Sequence, residues 1–148
     1  MSDSEDPFLQ ALNAYRAAVR AKDVDAFLAI YDGSLEVFDL WGEWSQRGLE
    51  IRRSMAEDWF GSLGDEYVAV DIDEARSTRS GDLIVGHAML TYTAHAADGT
   101  KLRWLDNRIT LALKRIGESW KVFHEHTSAP VDHESAKAIL RRSSTASA

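Results

Sequence analysis

Leu83 to Ser128 reads LIVGHAMLTYTAHAADGTKLRWLDNRITLALKRIGESWKVFHEHTS, and its punctuation is that of an antiparallel meander. Leu83 to His95, Lys101 to Lys114 and Ser119 to Ser128 are rich in β-branched and aromatic residues, which suit a pleated, half-buried surface. Asp98-Gly99 and Ile116-Gly117 lie between them. Asp-Gly between two such runs is a strong hairpin signal, because glycine enters the left-handed turn without a steric penalty. A fourth run, Tyr67 to Arg76, precedes them and is closed off by Ser80-Gly81.

Upstream the period changes from two to about 3.6. Asp6 is placed to cap and Pro7 to open a helix, where the missing N–H of proline costs nothing. Phe8, Leu12, Tyr15 and Val19 then fall on one helix face. Asp23 starts a second helix with Val24, Phe27, Leu28 and Tyr31 as its apolar set and Gly33 as its end. A short extended piece, Leu35 to Asp39, leads into a Trp41-Gly-Glu-Trp44 loop. A third helix is predicted over residues 48–60, with Ile51, Met55, Ala56, Trp59 and Phe60 facing inward. Helices first and strands afterwards predict an α+β fold. A last short helix is expected within residues 131–142, and residues 1–6 and 143–148 read as flexible tails around a single domain over 7–130.

Composition narrows the function classes. A 45% hydrophobic fraction over 148 residues suffices for one core. With 24 acidic and 17 basic side chains the net charge is −7, which repels phosphate backbones, so no nucleic-acid partner is expected. No run approaches the ~20 apolar residues of a membrane span. Met1-Ser-Asp-Ser-Glu-Asp6 is acidic and polar, unlike a secretory signal, and a cytoplasmic location is the default expectation. The chain has no cysteine, which excludes disulfides and thiolate chemistry. No glycine-rich phosphate loop appears and nothing marks a serine as a nucleophile, so no cofactor is expected.

The segment Trp120-Lys-Val-Phe-His124-Glu-His126-Thr-Ser128-Ala-Pro130 resembles the final strand of SnoaL-like domains and of the association domain of calcium/calmodulin-dependent protein kinase two. Both belong to the nuclear transport factor two-like superfamily. Ala14 to Tyr31 resembles the opening helix pair of that superfamily, and Leu35 to Gly42 its first strand. The resemblance covers about residues 7–130. It implies a cone: three N-terminal helices packed on a curved, antiparallel or mixed sheet of the cystatin-like kind, with a pocket in its mouth. It also implies that the His124/His126 face lines that pocket, together with Trp120, Val122 and Ser128. By alternation Trp104, Asp106, Arg108 and Thr110, and then His87, Met89 and Thr91, are expected on the same side. Phe123, Leu111, Leu113, Ile109 and Tyr92 are then left on an outer apolar face, which a second copy of the chain would cover.

Ketosteroid isomerases of the superfamily carry a tyrosine on the first helix that donates to an oxyanion, and an aspartate after the first strand that shuttles the proton. Tyr15 and Asp39 match these roles, and the interval of 24 residues between them (39 minus 15) matches the spacing in that enzyme. Asp106 is the candidate third residue, and His124 a further donor. Plain structural roles stay open beside each. Tyr15 is equally a core tyrosine, and Asp39 a turn cap. His124 and His126 form either half a metal site or a hydrogen-bond network with Ser128, Arg108 and water. Arg108 either clamps a carboxylate ligand or pairs internally with Asp106 or Asp39. Trp41, Trp59 and Trp104 suit the walls of an apolar ligand site, whereas Trp120 reads as core and His95 and His133 as surface. Two function classes follow: a homodimeric pocket protein with acid–base chemistry on a small organic molecule, or a non-catalytic association module. Met89 stands where the association domain has a pocket arginine.

Overall fold

The computed structural model describes residues 6–142, and the expected tails at residues 1–5 and 143–148 lie outside the described residues. Helix α1 spans Pro7–Ala21, and the Asp6 carboxylate caps it by accepting from the Phe8 amide at 2.9 Å. The helix ends at Lys22, whose left-handed backbone (φ 54°) is steadied by its ammonium, which donates to the Gly64 and Glu66 carbonyls. Helix α2, Val24–Leu28, is capped by Asp23. It is shorter than predicted: Tyr31 opens strand β1, Tyr31–Phe38, instead of closing the helix. The run Phe27-Leu28-Ala29-Ile30-Tyr31 is apolar throughout, so periodicity cannot divide it; the pairing of Tyr31 with Val122 does. A two-residue strand β2, Gln46–Arg47, then pairs antiparallel with β1.

Helix α3 spans Leu49–Ser62. Arg52, not Ile51, takes the inward position, and Ile51 is half exposed. Four long strands follow: β3 Tyr67–Ser80, β4 Leu83–His95, β5 Lys101–Ile116 and β6 Ser119–Ser128. They form one sheet in the order β2-β1-β6-β5-β4-β3. All pairs are antiparallel except β1 with β6, which is parallel, so the sheet is mixed. This curved open sheet with three helices on one side is the predicted α+β cone.

The core lies between helices and sheet. Phe8, Leu12, Val19, Phe27, Leu35, Leu90, Ile109, Leu113 and Val122 are all but sealed from solvent. Each such side chain stabilises the fold by about 1.5–3 kcal/mol through burial. Gly86 of β4 exists to let the Phe8 ring lie on the strand, since a Cβ there would stand 2.4 Å from that ring. Gly86→Ala is expected to cost about 1–3 kcal/mol by overpacking, read as a lower urea midpoint. Combining it with Phe8→Leu should cost less than the sum of the two. A Gly86→Ala variant as stable as the parent would mean that the ring moves aside freely.

The sheet faces differ from the sequence expectation. Leu113 pairs with Val122 and Ala112 with His124, so Phe123 is an extra residue and β6 bulges there. Beyond the bulge Glu125 and Thr127 turn inward, and His124, His126 and Ser128 turn outward. On β5 the inner row is Asn107, Ile109, Leu111 and Leu113, and on β4 it is Ile84, Ala88, Leu90, Tyr92 and Ala94. On β4 and β5 the more apolar face goes under the helices, where burial is favourable. His87, Met89, Thr91, Asp106, Arg108 and Thr110 therefore lie on the outer face. Ile109, Leu111, Leu113 and Tyr92, assigned there from sequence, are covered within the chain itself, whereas Phe123 at the bulge is half-buried beside the Lys114 ammonium. Trp120 is half-buried, with the guanidinium groups of Arg79 and Arg115 near its ring, and His95 is half-buried and stacked on Tyr67.

Residues 130–142 form an arm and not a helix. Val131 bridges to Ala138, and the arm returns so that the Leu140 carbonyl accepts from the Asp106 amide at 2.7 Å. β6 stops at Ser128 opposite Arg108, which leaves the earlier part of β5 without a partner on that edge, and the arm takes its place. Among the described residues no helix is long and apolar enough to cross a membrane.

Candidate functional site

A cavity of about 1040 Å³ opens between α1, α3, the inner sheet face and the arm. Tyr15, Asp39, Trp41, Trp59 and Trp104 all line it, as expected from sequence. Trp59 comes from α3, Trp104 from β5 and Trp41 from the loop after β1, so three elements supply the aromatic walls. Ile139, Leu140 and Arg141 of the arm close one side, with the Arg141 guanidinium over the Trp104 ring at 4.7 Å.

The polar groups are laid out in two tiers. The upper tier crosses four neighbouring strands: Asp39 at the end of β1, Thr127 of β6, Asn107 of β5 and Tyr92 of β4. Thr127 Oγ1 donates to Asp39 Oδ1 at 2.9 Å and accepts from the Leu40 amide at 2.8 Å. Asp39 Oδ2 has no partner among the described residues. Tyr15 and Tyr92 share a hydroxyl–hydroxyl bond of 2.9 Å. Burial raises the pKa of both phenols, with the nearby Glu125 charge adding to it, so both stay protonated. Two hydroxyls carry two protons and their mutual bond uses one. The other proton has no acceptor among the described residues.

The lower tier is a buried ion pair. Arg52 of α3 and Glu125 of β6 meet through Nη2 and Oε2, both side chains being 3% exposed or less. Tyr31 Oη donates to Glu125 Oε1 at 2.6 Å and accepts from Arg52 Nη2 at 2.7 Å. Burial alone would favour loss of the Arg52 proton, but Glu125 and Tyr31 outweigh it and hold the guanidinium pKa above its usual value. The cation also lies over the Phe27 and Tyr31 rings. Two buried atoms at this site, Arg52 Nε and Asn107 Oδ1, have no hydrogen-bond partner among the described residues.

The remaining expected site residues lie elsewhere. His124 and His126 are on the outer face, edge-on to Phe38, and His124 Nδ1 donates to the Glu36 carbonyl. Among the described residues no cluster of three or more His, Asp or Glu side chains is arranged to hold a metal. Arg108 is exposed and its Nε donates to Ser128 Oγ; it faces no carboxylate of the cavity. His87 and Met89 sit on the same outer surface. Asp106 is buried there, accepting from Thr91 Oγ1 at 2.6 Å and from the Arg142 amide at 2.7 Å, so it fastens the arm and does not line the cavity. The resemblance put His124 and His126 inward and alternation carried that facing to the other five, whereas in the fold this row faces outward.

Arg52, Glu125, Tyr31, Tyr92, Asn107 and Thr127 went unrecognised as site residues in the sequence. One signal was available: Arg52 keeps helical spacing with Ala56, Trp59 and Leu63, which marks an arginine on a buried face.

A search of curated proteins gives no match. Among solved structures, an NTF2-like protein of unknown function from Pseudomonas putida KT2440 is 26% identical, covers 95% of this chain and 96% of its own, and superposes with a TM-score of 0.79. A Streptomyces avermitilis protein of the NTF2-like family, proposed to be a dehydratase, is 13% identical with a TM-score of 0.71, over 87% of this chain and 97% of its own. A Thiobacillus denitrificans protein, proposed to be a calcium/calmodulin-dependent protein kinase type II association domain, is 19% identical with a TM-score of 0.64, over 85% and 95%. The last two share the fold alone. A family model, that of the SnoaL-like domain, matches residues 9–132, and the chain belongs to that family.

Proposed function

We propose that the cavity binds a small, largely apolar organic molecule and that Asp39 moves a proton on it. One observation carries this reading: Asp39, with an unpartnered carboxylate oxygen, lines the same cavity as a tyrosine pair holding an unused hydroxyl proton. The Asp39 carboxylate takes a proton from carbon next to a carbonyl. The C–H electron pair moves into an enolate, the spare phenol proton hydrogen-bonds the enolate oxygen, and Asp39 returns its proton to the same or another carbon. Thr127 holds Asp39 in place. Trp41, Trp59 and Trp104 exclude water from the reacting atoms.

The test uses 2-tetralone, a neutral bicyclic ketone with acidic α-protons. The protein should accelerate exchange of those protons in D2O, followed by proton NMR. Asp39→Asn should retain the parent's melting temperature and 2-tetralone affinity and lose about 100-fold or more of the acceleration. Unchanged exchange in that variant would sink the assignment of Asp39 as base. Native mass spectrometry tests the competing association reading: a large empty ring would favour assembly, and a monomer or dimer favours the pocket.

A further inference from the structure

The upper tier holds an atom that the fold leaves unserved. Asn107 is 8% exposed, lines the cavity, and its Oδ1 accepts no hydrogen bond. Buried carbonyl oxygens are rarely left so, because the bond to water lost on burial is not regained. Its amide lies against the Tyr92 hydroxyl, where it favours the charged form of the phenol. An orphan acceptor therefore sits beside the tyrosine pair, which has an orphan donor. A ligand that offers a donor next to an acceptor satisfies both at once.

Charge narrows the choice further. Arg52 is neutralised by Glu125 within the protein, and Arg103 at the mouth by Glu66. Asp39 is left as the interior's unbalanced charge. Lys137 and Arg141 of the arm line the mouth without a carboxylate partner among the described residues, but both are exposed; an anionic group carried deeper would meet the Asp39 carboxylate and an Arg52 already paired.

Resting on the pocket reading above, we infer that the ligand enters uncharged and presents a hydrogen-bond donor beside an acceptor, as a cis-amide or an enolised hydroxy-carbonyl group does. The donor goes to Asn107 Oδ1 and the acceptor takes the free proton of the Tyr15–Tyr92 pair. The three tryptophans clasp the apolar body that carries these groups.

Three bicyclic probes test this by tryptophan fluorescence titration: 2-quinolinone, N-methyl-2-quinolinone and 2-naphthoate. The first has donor and acceptor side by side, the second lacks only the donor, and the third is an anion. In a cavity of about 1040 Å³ the extra methyl group is readily housed. The unmodified protein should bind 2-quinolinone about tenfold more tightly than its N-methyl form, and 2-naphthoate more weakly than either. Asn107→Leu should shrink that preference to less than about twofold. Equal binding of the two quinolinones, a preference that survives Asn107→Leu, or tightest binding of 2-naphthoate would each overturn this inference and leave the pocket reading standing. If no probe binds, the pocket reading falls and the inference with it.

Discussion

Arg52→Met is expected to lower stability by about 3–5 kcal/mol, measured by urea unfolding at neutral pH. The methionine keeps much of the volume but strips Glu125 of its counter-charge. Glu125 is 2% exposed and would retain only the Tyr31 hydroxyl. An uncompensated charge in so dry a place is costly, because protein dipoles cannot replace its hydration. Arg52→Met with Glu125→Leu should recover much of the loss, since removing both partners removes the desolvation cost along with the attraction. The coupling between the two changes separates a true pair from two independent contacts. A loss under about 1 kcal/mol in the single variant would mean that water reaches Glu125 from the cavity. The pair lies directly beneath the proposed chemistry, so the double variant also asks whether charge there matters to proton transfer. 2-Tetralone exchange in it should stay within about tenfold of the parent, because neither residue touches the reacting atoms in the proposed scheme.

Phe27→Ala should cost a similar amount, about 3–5 kcal/mol. Phe27 is fully buried, with the Tyr15, Tyr31 and Phe60 rings 5.4–5.7 Å away and the Arg52 guanidinium over its face. Deleting the ring opens a void that all four neighbours must share. Tyr15 and Arg52 line the ligand cavity, so the damage should reach the site. At a temperature where the variant is still folded, 2-quinolinone affinity should fall as well. Phe27→Leu, which refills most of the volume, should restore most of both. Stability lost with affinity intact would show that Phe27 supports the core and not the cavity wall.

Much of this protein is legible from the chain read alone. The change of period after Ser62, the Asp-Gly hairpin and the Asp6-Pro7 cap specify helices followed by a meander, because these signals are local and each residue carries its own geometric preference. Tyr15, Asp39, Trp41 and Trp59 line the cavity, each on or beside an element whose buried side is legible, and Trp104 lines it although alternation puts it in one row with Asp106 and Arg108. The facing of β4, β5 and the end of β6 is a different matter. Alternation states which residues share a side and is silent on which side goes inward, and the single extra residue at Phe123 inverts the answer. The three-dimensional packing settles it by burying the more apolar row beneath the helices. That step turns the histidines and Arg108 outward and brings Glu125 beneath Arg52. The arm from Pro130 is likewise beyond local reading: it is held by Asp106 and by the open edge of β5, which exist only once the sheet has formed. Ionic partners and edge partners are far apart in the chain, and only the folded backbone brings them within hydrogen-bond reach.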